Sequence, residues 1–376
     1  MKSTRLLSLD VMRGVAVALM ILVNNAGDGS VSYSQLRHSV WNGCTLADVV
    51  FPLFLFIVGS SMVLSFCVQL EHATPRSAIA LQMLRRAVTI FALGLLLNAL
   101  PHFELAQLRY YGVLQRIALC YTLAGSVFLF SGAMGCAVAV AISLIGYWLL
   151  LTHVPVPGFG LPGASIESLD RYGNLAAWLD RWLVPQSHLY RHGSYDPEGL
   201  LSTLPALANT LLGALSALWL RSARPALQRA YVLLCCGFIS IAAGLRWAQT
   251  FDLNKRLWTS SFALFTSGIA MSVLALLFWH IDVKKMRHGQ HGHPVKPWVV
   301  FGTNALTAYV LSEVLAAVLT AIPVRTGENL QQLLFRLLPS RLGPPPFVSM
   351  VYSVLFVCVC YLPLEALYRR RIFVKL

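Results

Sequence analysis

One feature recurs along the chain more often than any other: a run of about 20 mostly apolar residues, the length a helix needs to cross the ~30 Å hydrocarbon layer of a bilayer. Such runs fall at about 11–27, 46–68, 84–100, 112–130, 133–153, 200–220, 230–248, 259–280, 298–322 and 347–366. In lipid every backbone N–H and C=O must find its partner within the protein, so only helices or closed barrels span. A barrel would show ten-residue segments of alternating polarity, and none is visible. The expected fold is therefore all-α, a polytopic bundle of about ten transmembrane helices.

Composition agrees. Of 376 residues, 57% are hydrophobic and 12% charged, with a mean hydropathy of +0.66. That charge content is about half the usual quarter of a soluble domain. A disordered chain, a disulfide-rich secreted scaffold and a plain soluble enzyme are all excluded. Residues 1–376 read as a single membrane domain with no soluble module and no repeat of fixed period. Met1 to Val23 has the basic start and apolar middle of a signal peptide, but Asn24-Asn25-Ala26-Gly27-Asp28 is a poor cleavage site. It reads as the first span instead.

The net charge of +14 has to be placed before it is interpreted. With both termini in the cytoplasm, roughly 17 of the 29 basic residues fall in inner segments, at more than twice the outer density, as the positive-inside rule requires. Both termini are expected to be cytoplasmic and the largest loop, about 154–199, outside. The charge then sets orientation, and no nucleic-acid partner is needed to explain it. Seven of the eight cysteines lie in or at the ends of apolar helices, with only Cys44 clearly outside. No CxxC pair exists, which argues against a metal or redox site on cysteine. The inner loop 281–297 holds His288, His291 and His293 in HGQHGH. Its glycines leave the imidazoles unfixed, so a hydrated linker is expected there and no metal.

Polar groups inside apolar spans are costly, and each is a site hypothesis by default. Asp10 and Arg13 are three apart and share a helical face. Asn24 returns to within about 20° of that face, some ~16 Å further along the axis. The stretch from Arg37 to Asp48 (RHSVWNGCTLAD) packs His, Trp, Asn and Asp directly against the start of an apolar helix. His38 is its only histidine, and an imidazole is poised to exchange a proton near neutral pH. Asp48 sits where it either complements the helix dipole or serves His38. Asn98, Gln115, Arg116, Glu198, Lys255, Arg256 and Trp258 all fall at the outer ends of their spans, which predicts a polar site at that leaflet containing His38. Glu313 and Asn304 lie deeper, as helix–helix contacts or as the lining of a route from the cytoplasm. In the outer loop, Trp178, Trp182 and Leu183 predict a short interfacial helix. Asp196-Pro197-Glu198-Gly199 reads as a helix start, with Asp196 as cap and Pro197 at the first helical position.

Several of these blocks resemble one family. SLDVMRG at 8–14, HSVWNGCTLADVVFPLFLFIVGSS at 38–61, GVLQR at 112–116, DPEG at 196–199, NKRLWTSSF at 254–262 and FGTNAL at 301–306 are similar to the membrane-bound heparan-α-glucosaminide N-acetyltransferases. The compact chain looks most like the bacterial relatives, inner-membrane proteins associated with N-acetylglucosamine utilisation. The resemblance implies an acetyl-CoA-dependent, multi-pass inner-membrane enzyme. It would pass acetyl from cytosolic acetyl-CoA to the amine of glucosamine or a glucosaminide on the periplasmic side. It puts the active-site histidine on His38 and the asparagine closing the first helix on Asn24. Acyl transfer to an amine needs a base or an intermediate nucleophile, and donors for the developing oxyanion. His38 is expected as general base or acyl carrier, Asn24 as its orienter or oxyanion donor, and Asp48 as the group fixing its tautomer. Arg116 and Lys255 are expected on CoA phosphates, Trp258 on adenine, with Gln115 and Asn304 also on the donor. Trp41, Asn42 and Glu198 are expected on the acceptor. The lipid bilayer and the two substrates are the expected partners, and a homodimer is compatible with the sequence.

Two other functions fit parts of the pattern. Ten helices with polar groups near mid-membrane suit a permease for amino sugars or another small solute. The SLDxxRG feature, shared with other membrane acyltransferases, suits an O-acyltransferase of a cell-envelope glycan.

Overall fold

A computed structural model describes residues 6–167, 169–284, 295–325 and 327–374. His288, His291 and His293 of the inner loop lie outside the described residues. The fold is all-α. In chain order the helices are α1 (Leu7–Asn24), α2 (Leu46–Glu71), α3 (Arg76–Ala99), α4 (Val113–His153), α5 (Leu175–Leu183), α6 (Thr203–Arg221), α7 (Ala226–Trp247), α8 (Ser260–Leu277), α9 (Lys296–Thr303), α10 (Ala305–Ala321), α11 (Leu330–Arg336) and α12 (Pro345–Arg369). A π-helical turn over Phe278–Val283 extends α8. Among the described residues the only strands are a short antiparallel pair, Pro323–Arg325 with Glu328–Asn329.

Among the described residues eight helices are long and apolar enough to cross a membrane, or nine if α9 and α10, bent by 83°, count as one span. The 41 residues of α4 would reach about twice the hydrocarbon thickness if straight. Gly132 breaks that helix at φ 63°, ψ −155°, a conformation open to glycine and strained for other residues. The break falls between the two apolar runs read from the sequence at about 112–130 and 133–153.

Burial separates the helices into layers. The core helices α2 and α6 have 78% and 72% of their apolar windows buried, whereas α3 and α7 have 22%. The latter two turn long aliphatic faces outward, with Leu84, Val88, Leu96, Phe238 and Ile239 exposed, as suits lipid contact. The predicted interfacial helix is α5, whose N-cap Asn174 accepts the Ala177 N–H at 2.8 Å. Trp178 and Trp182 stack along it. Asp10 and Arg13 form their expected pair at 2.9 Å, and Arg13 also reaches the Gly302 carbonyl on α9 and Ser61 Oγ on α2.

One local expectation fails. Asp196 does not cap α6, which begins at Thr203, seven residues later. Its carboxylate is committed to Arg109, which grips it through two guanidinium nitrogens at 2.8 and 2.5 Å. A buried charge needs an opposite charge more than a helix needs one cap.

Candidate active site

The site is built from three loops at one end of the bundle: 37–45 before α2, 196–202 before α6 and 252–259 before α8. The first and third are stitched backbone to backbone. Gly43, at φ 112°, turns its N–H onto the Leu253 carbonyl at 2.7 Å. Asn42 donates to Asp252 at 2.8 Å and accepts from Asn254 at 2.9 Å. Asn254 in turn accepts the Leu257 N–H. Two segments more than 200 residues apart in sequence thus become one surface.

That surface brings His38, Asp48 and Lys255 together. His38 Nδ1 lies 2.8 Å from Asp48 Oδ1, with the imidazole side chain 35% exposed and the carboxylate fully buried. Asp48 Oδ2 accepts the Ser39 N–H, the Thr45 N–H and the Thr45 hydroxyl, closing a capping box on α2. Asp48 thus partners His38 as the sequence suggested, and in the first turn of α2 it also closes a capping box that the sequence reading did not anticipate. Since Asp48 accepts, Nδ1 carries the proton and Nε2 keeps a lone pair. Lys255 Nζ is 3.0 Å from Nδ1, 3.3 Å from Nε2 and 3.7 Å from Asp48 Oδ1. Burial lowers the His38 pKa, and nearby Lys255 and Arg256 add to that, against Asp48 pulling upward. Burial likewise drives Lys255 toward its neutral form, opposed by Asp48 and Glu198.

A second charged cluster adjoins the first. Arg109 binds both Asp196 and Glu198. Burial would raise the Glu198 pKa, but Arg109 and Arg116 outweigh it and keep the carboxyl below its ordinary value. Arg116, 1% exposed, donates to the Gly199 carbonyl at 3.0 Å and to the Ser202 hydroxyl, and lies over the Trp258 ring at 5.0 Å. Its Nε and Nη1 are buried without partners.

The remaining predicted site residues separate into those this surface gathers and those it does not. Trp41 donates to the Leu169 carbonyl and meets Tyr195 edge-on. Trp258, at φ 53°, is fully buried between Phe51, Phe262 and Arg116, and donates to Asn209. Its ring has no open face for an adenine and acts as a packing anchor under the site. Gln115 is 2% exposed, with its Nε2 unpartnered. Asn24 lies beside Glu313 of α10. Asn304 sits at the α9–α10 break, where its amide clamps the tail by donating to the Ile372 carbonyl and accepting from the Val374 N–H. Lys255, expected on phosphate, is committed to His38 and Asp48. Sequence reasoning missed Arg109 altogether. The only signal for it was the acid pair of DPEG, which demands a cation and does not say which.

The geometry now stands beside known proteins. A family model described as heparan-alpha-glucosaminide N-acetyltransferase, catalytic, matches residues 5–171, which include His38 and Asp48. The mouse heparan-alpha-glucosaminide N-acetyltransferase is 30% identical over 363 residues, 83% of this chain and 54% of that protein. The human protein of the same name is 29% identical over 423 residues, 99% of this chain and 60% of the relative. The chain thus spans little more than half the length of these relatives. By these matches the chain is similar to the heparan-alpha-glucosaminide N-acetyltransferases, most directly over the residues that hold His38 and Asp48.

Proposed function

We propose that this chain is a transmembrane N-acetyltransferase that transfers acetyl from acetyl-CoA on the cytosolic side to the amine of glucosamine or a glucosaminide on the outer, periplasmic side of a bacterial inner membrane. The observation that carries the proposal is the Asp48–His38 contact of 2.8 Å, which fixes the tautomer and leaves Nε2 as the basic nitrogen. In the direct route the acceptor amine attacks the thioester carbonyl carbon, and Nε2 takes the amine proton as the C–N bond forms. The C–S bond then breaks, and the proton passes from the imidazolium to the departing thiolate, giving amide and free CoA. In the two-step route the same Nε2 lone pair accepts the acetyl group first and CoA leaves before the amine arrives. Lys255, in reach of both ring nitrogens, keeps the imidazole neutral in either route. The spare N–H groups of Arg116 support a role on a carbonyl or phosphate oxygen of the donor.

Purified protein incubated with radiolabelled acetyl-CoA and glucosamine tests the reading: label moves to the amine in a base-stable amide. His38→Ala abolishes transfer with thermal stability unchanged. Label retained on protein before acceptor is added would identify the two-step route, and a base-labile product would identify an O-acyltransferase. A permease reading draws support from the α9–α10 break, since discontinuous helices often line transport sites. Solute uptake into vesicles, with label remaining on CoA, would favour it.

A further inference from the structure

Three guanidinium groups crowd one aromatic ring at the rim of this site. Arg109, Arg191 and Arg256 lie 4.8, 5.2 and 5.9 Å from the centre of the Tyr190 ring. A fourth, Arg171, lies 4.9 Å over Trp41, three residues beyond His38. Cation–π contact orients such groups but does not remove the repulsion between them. Acidic side chains neutralise only the inner charges. Asp196 and Glu198 answer Arg109, and Asp48 answers Lys255. Among the described residues no carboxylate lies within ion-pair distance of Arg171, Arg191 or Arg256. Asp252, close to Arg256 in sequence, binds Asn42 instead. Asp170, beside Arg171, turns its carboxylate onto the Tyr172 and Gly173 N–H groups. Arg191 is held at φ 53°, a left-handed conformation costly for a side chain of this kind. Arg256 is also near enough to influence the charge on His38.

We propose that Arg191, Arg256 and Arg171 form a cradle for an oxyanion (phosphate, sulfate or carboxylate) on a substrate, and that the substrate is the amino-sugar acceptor. Planar guanidinium forks match such groups bidentately. The cradle sits on the loop face of the His38 site, which favours the acceptor over a donor arriving from the other face. The acceptor assignment rests on the acetyltransferase reading; the cradle itself does not.

The test uses the full chain in detergent, with glucosamine and glucosamine 6-phosphate as acceptors and R191Q/R256Q as the variant. The phosphorylated sugar is expected to show a KM about tenfold or more below that of glucosamine. The double variant removes the difference while the KM for acetyl-CoA stays unchanged. A raised KM for acetyl-CoA with acceptor preference intact overturns the acceptor assignment and gives the cradle to the donor phosphates. If no amine is acetylated, the acetyltransferase reading fails on its own, and calorimetric binding of inorganic phosphate and glucosamine 6-phosphate still decides the cradle. Equal binding by wild type and variant overturns it. R191Q alone, at an exposed position, serves if the double variant does not fold.

Discussion

The carboxylate of Asp48 ties His38 to the helix that presents it: Oδ1 meets His38 Nδ1 at 2.8 Å, and Oδ2 closes the capping box with Thr45. Asp48→Asn separates the two roles. The amide oxygen can still cap, but Lys255 loses the buried carboxylate 3.7 Å away, so folding should weaken by about 3 kcal/mol. The amide cannot hold the imidazole in the same tautomer, and kcat should fall by at least about a hundredfold. Acetyl-transfer rates with thermal midpoints measure both effects. A variant that loses stability but keeps kcat would reduce Asp48 to a cap.

Lys255 is expected to act through His38. Burial holds the imidazole pKa below its ordinary 6.5, with Lys255 contributing, so the base is neutral at pH 7 and the rising limb of kcat/KM lies on the acid side of 6.5. Removing the cation in Lys255→Met lets the imidazole pKa rise, and the limb moves to higher pH. A phosphate-gripping lysine would instead raise the KM for acetyl-CoA and leave the limb in place. The pH profile of kcat/KM decides between them.

How far the sequence reaches follows from the range of each interaction. The helical spans were legible because apolar run length against bilayer thickness is a local quantity, and even the Gly132 break falls between two predicted runs. His38 and Asp48 were legible for the same reason, lying ten positions apart on one turn-and-helix unit. Lys255 was found, but its contact with His38 was not legible, because it depends on the Gly43–Leu253 and Asn42–Asn254 contacts, which join distant segments. Asp196 was misread outright. Asp-Pro-Glu is a sound helix start on local rules, and only the fold shows Arg109, 87 residues away, claiming the carboxylate.

Asp180 gives the loop between α4 and α6 a pH dependence of its own. It is 1% exposed on α5 and accepts the Asp196 N–H at 3.1 Å and the Leu200 N–H at 3.4 Å. Burial raises its pKa from 3.8 to about 7, despite those donors. Between about pH 4 and 7 the folded state holds a proton the unfolded state has lost, so stability falls as pH rises through that window and is flat above it. Asp180→Asn removes the ionisation and keeps an acceptor. Its thermal midpoint should stay level from pH 5 to 8 while that of wild type drops, with a gap at pH 8 of at most about 4 kcal/mol. Parallel curves for the two proteins would mean that Asp180 is ionised throughout.

At the opposite end of the bundle, α1 and α9 cross with their backbones in contact. A Cβ on Gly302 would meet the Asp10 carbonyl, and one on Gly14 the Trp298 carbonyl. Small residues permit this approach in membranes, where close packing replaces the hydrophobic effect as the force between helices. The obstructing atoms are backbone, so neither helix can yield by changing a rotamer. Gly302→Ala should therefore cost about 1–3 kcal/mol and disturb the Arg13 contact with the Gly302 carbonyl, 3.1 Å in the native protein. Gly146→Ala is the matched control: its Cβ meets nothing within 4 Å on helix α4, and alanine there should be neutral or gain up to about 1 kcal/mol. Thermal midpoints of the two variants measure the difference, with kcat of the surviving Gly302→Ala protein as a second readout. Because His38 lies at the far end of the bundle, kcat should hold while the midpoint falls. A joint loss of both would mean that the α1–α9 crossing moves during turnover and that its close contact belongs to the reaction cycle.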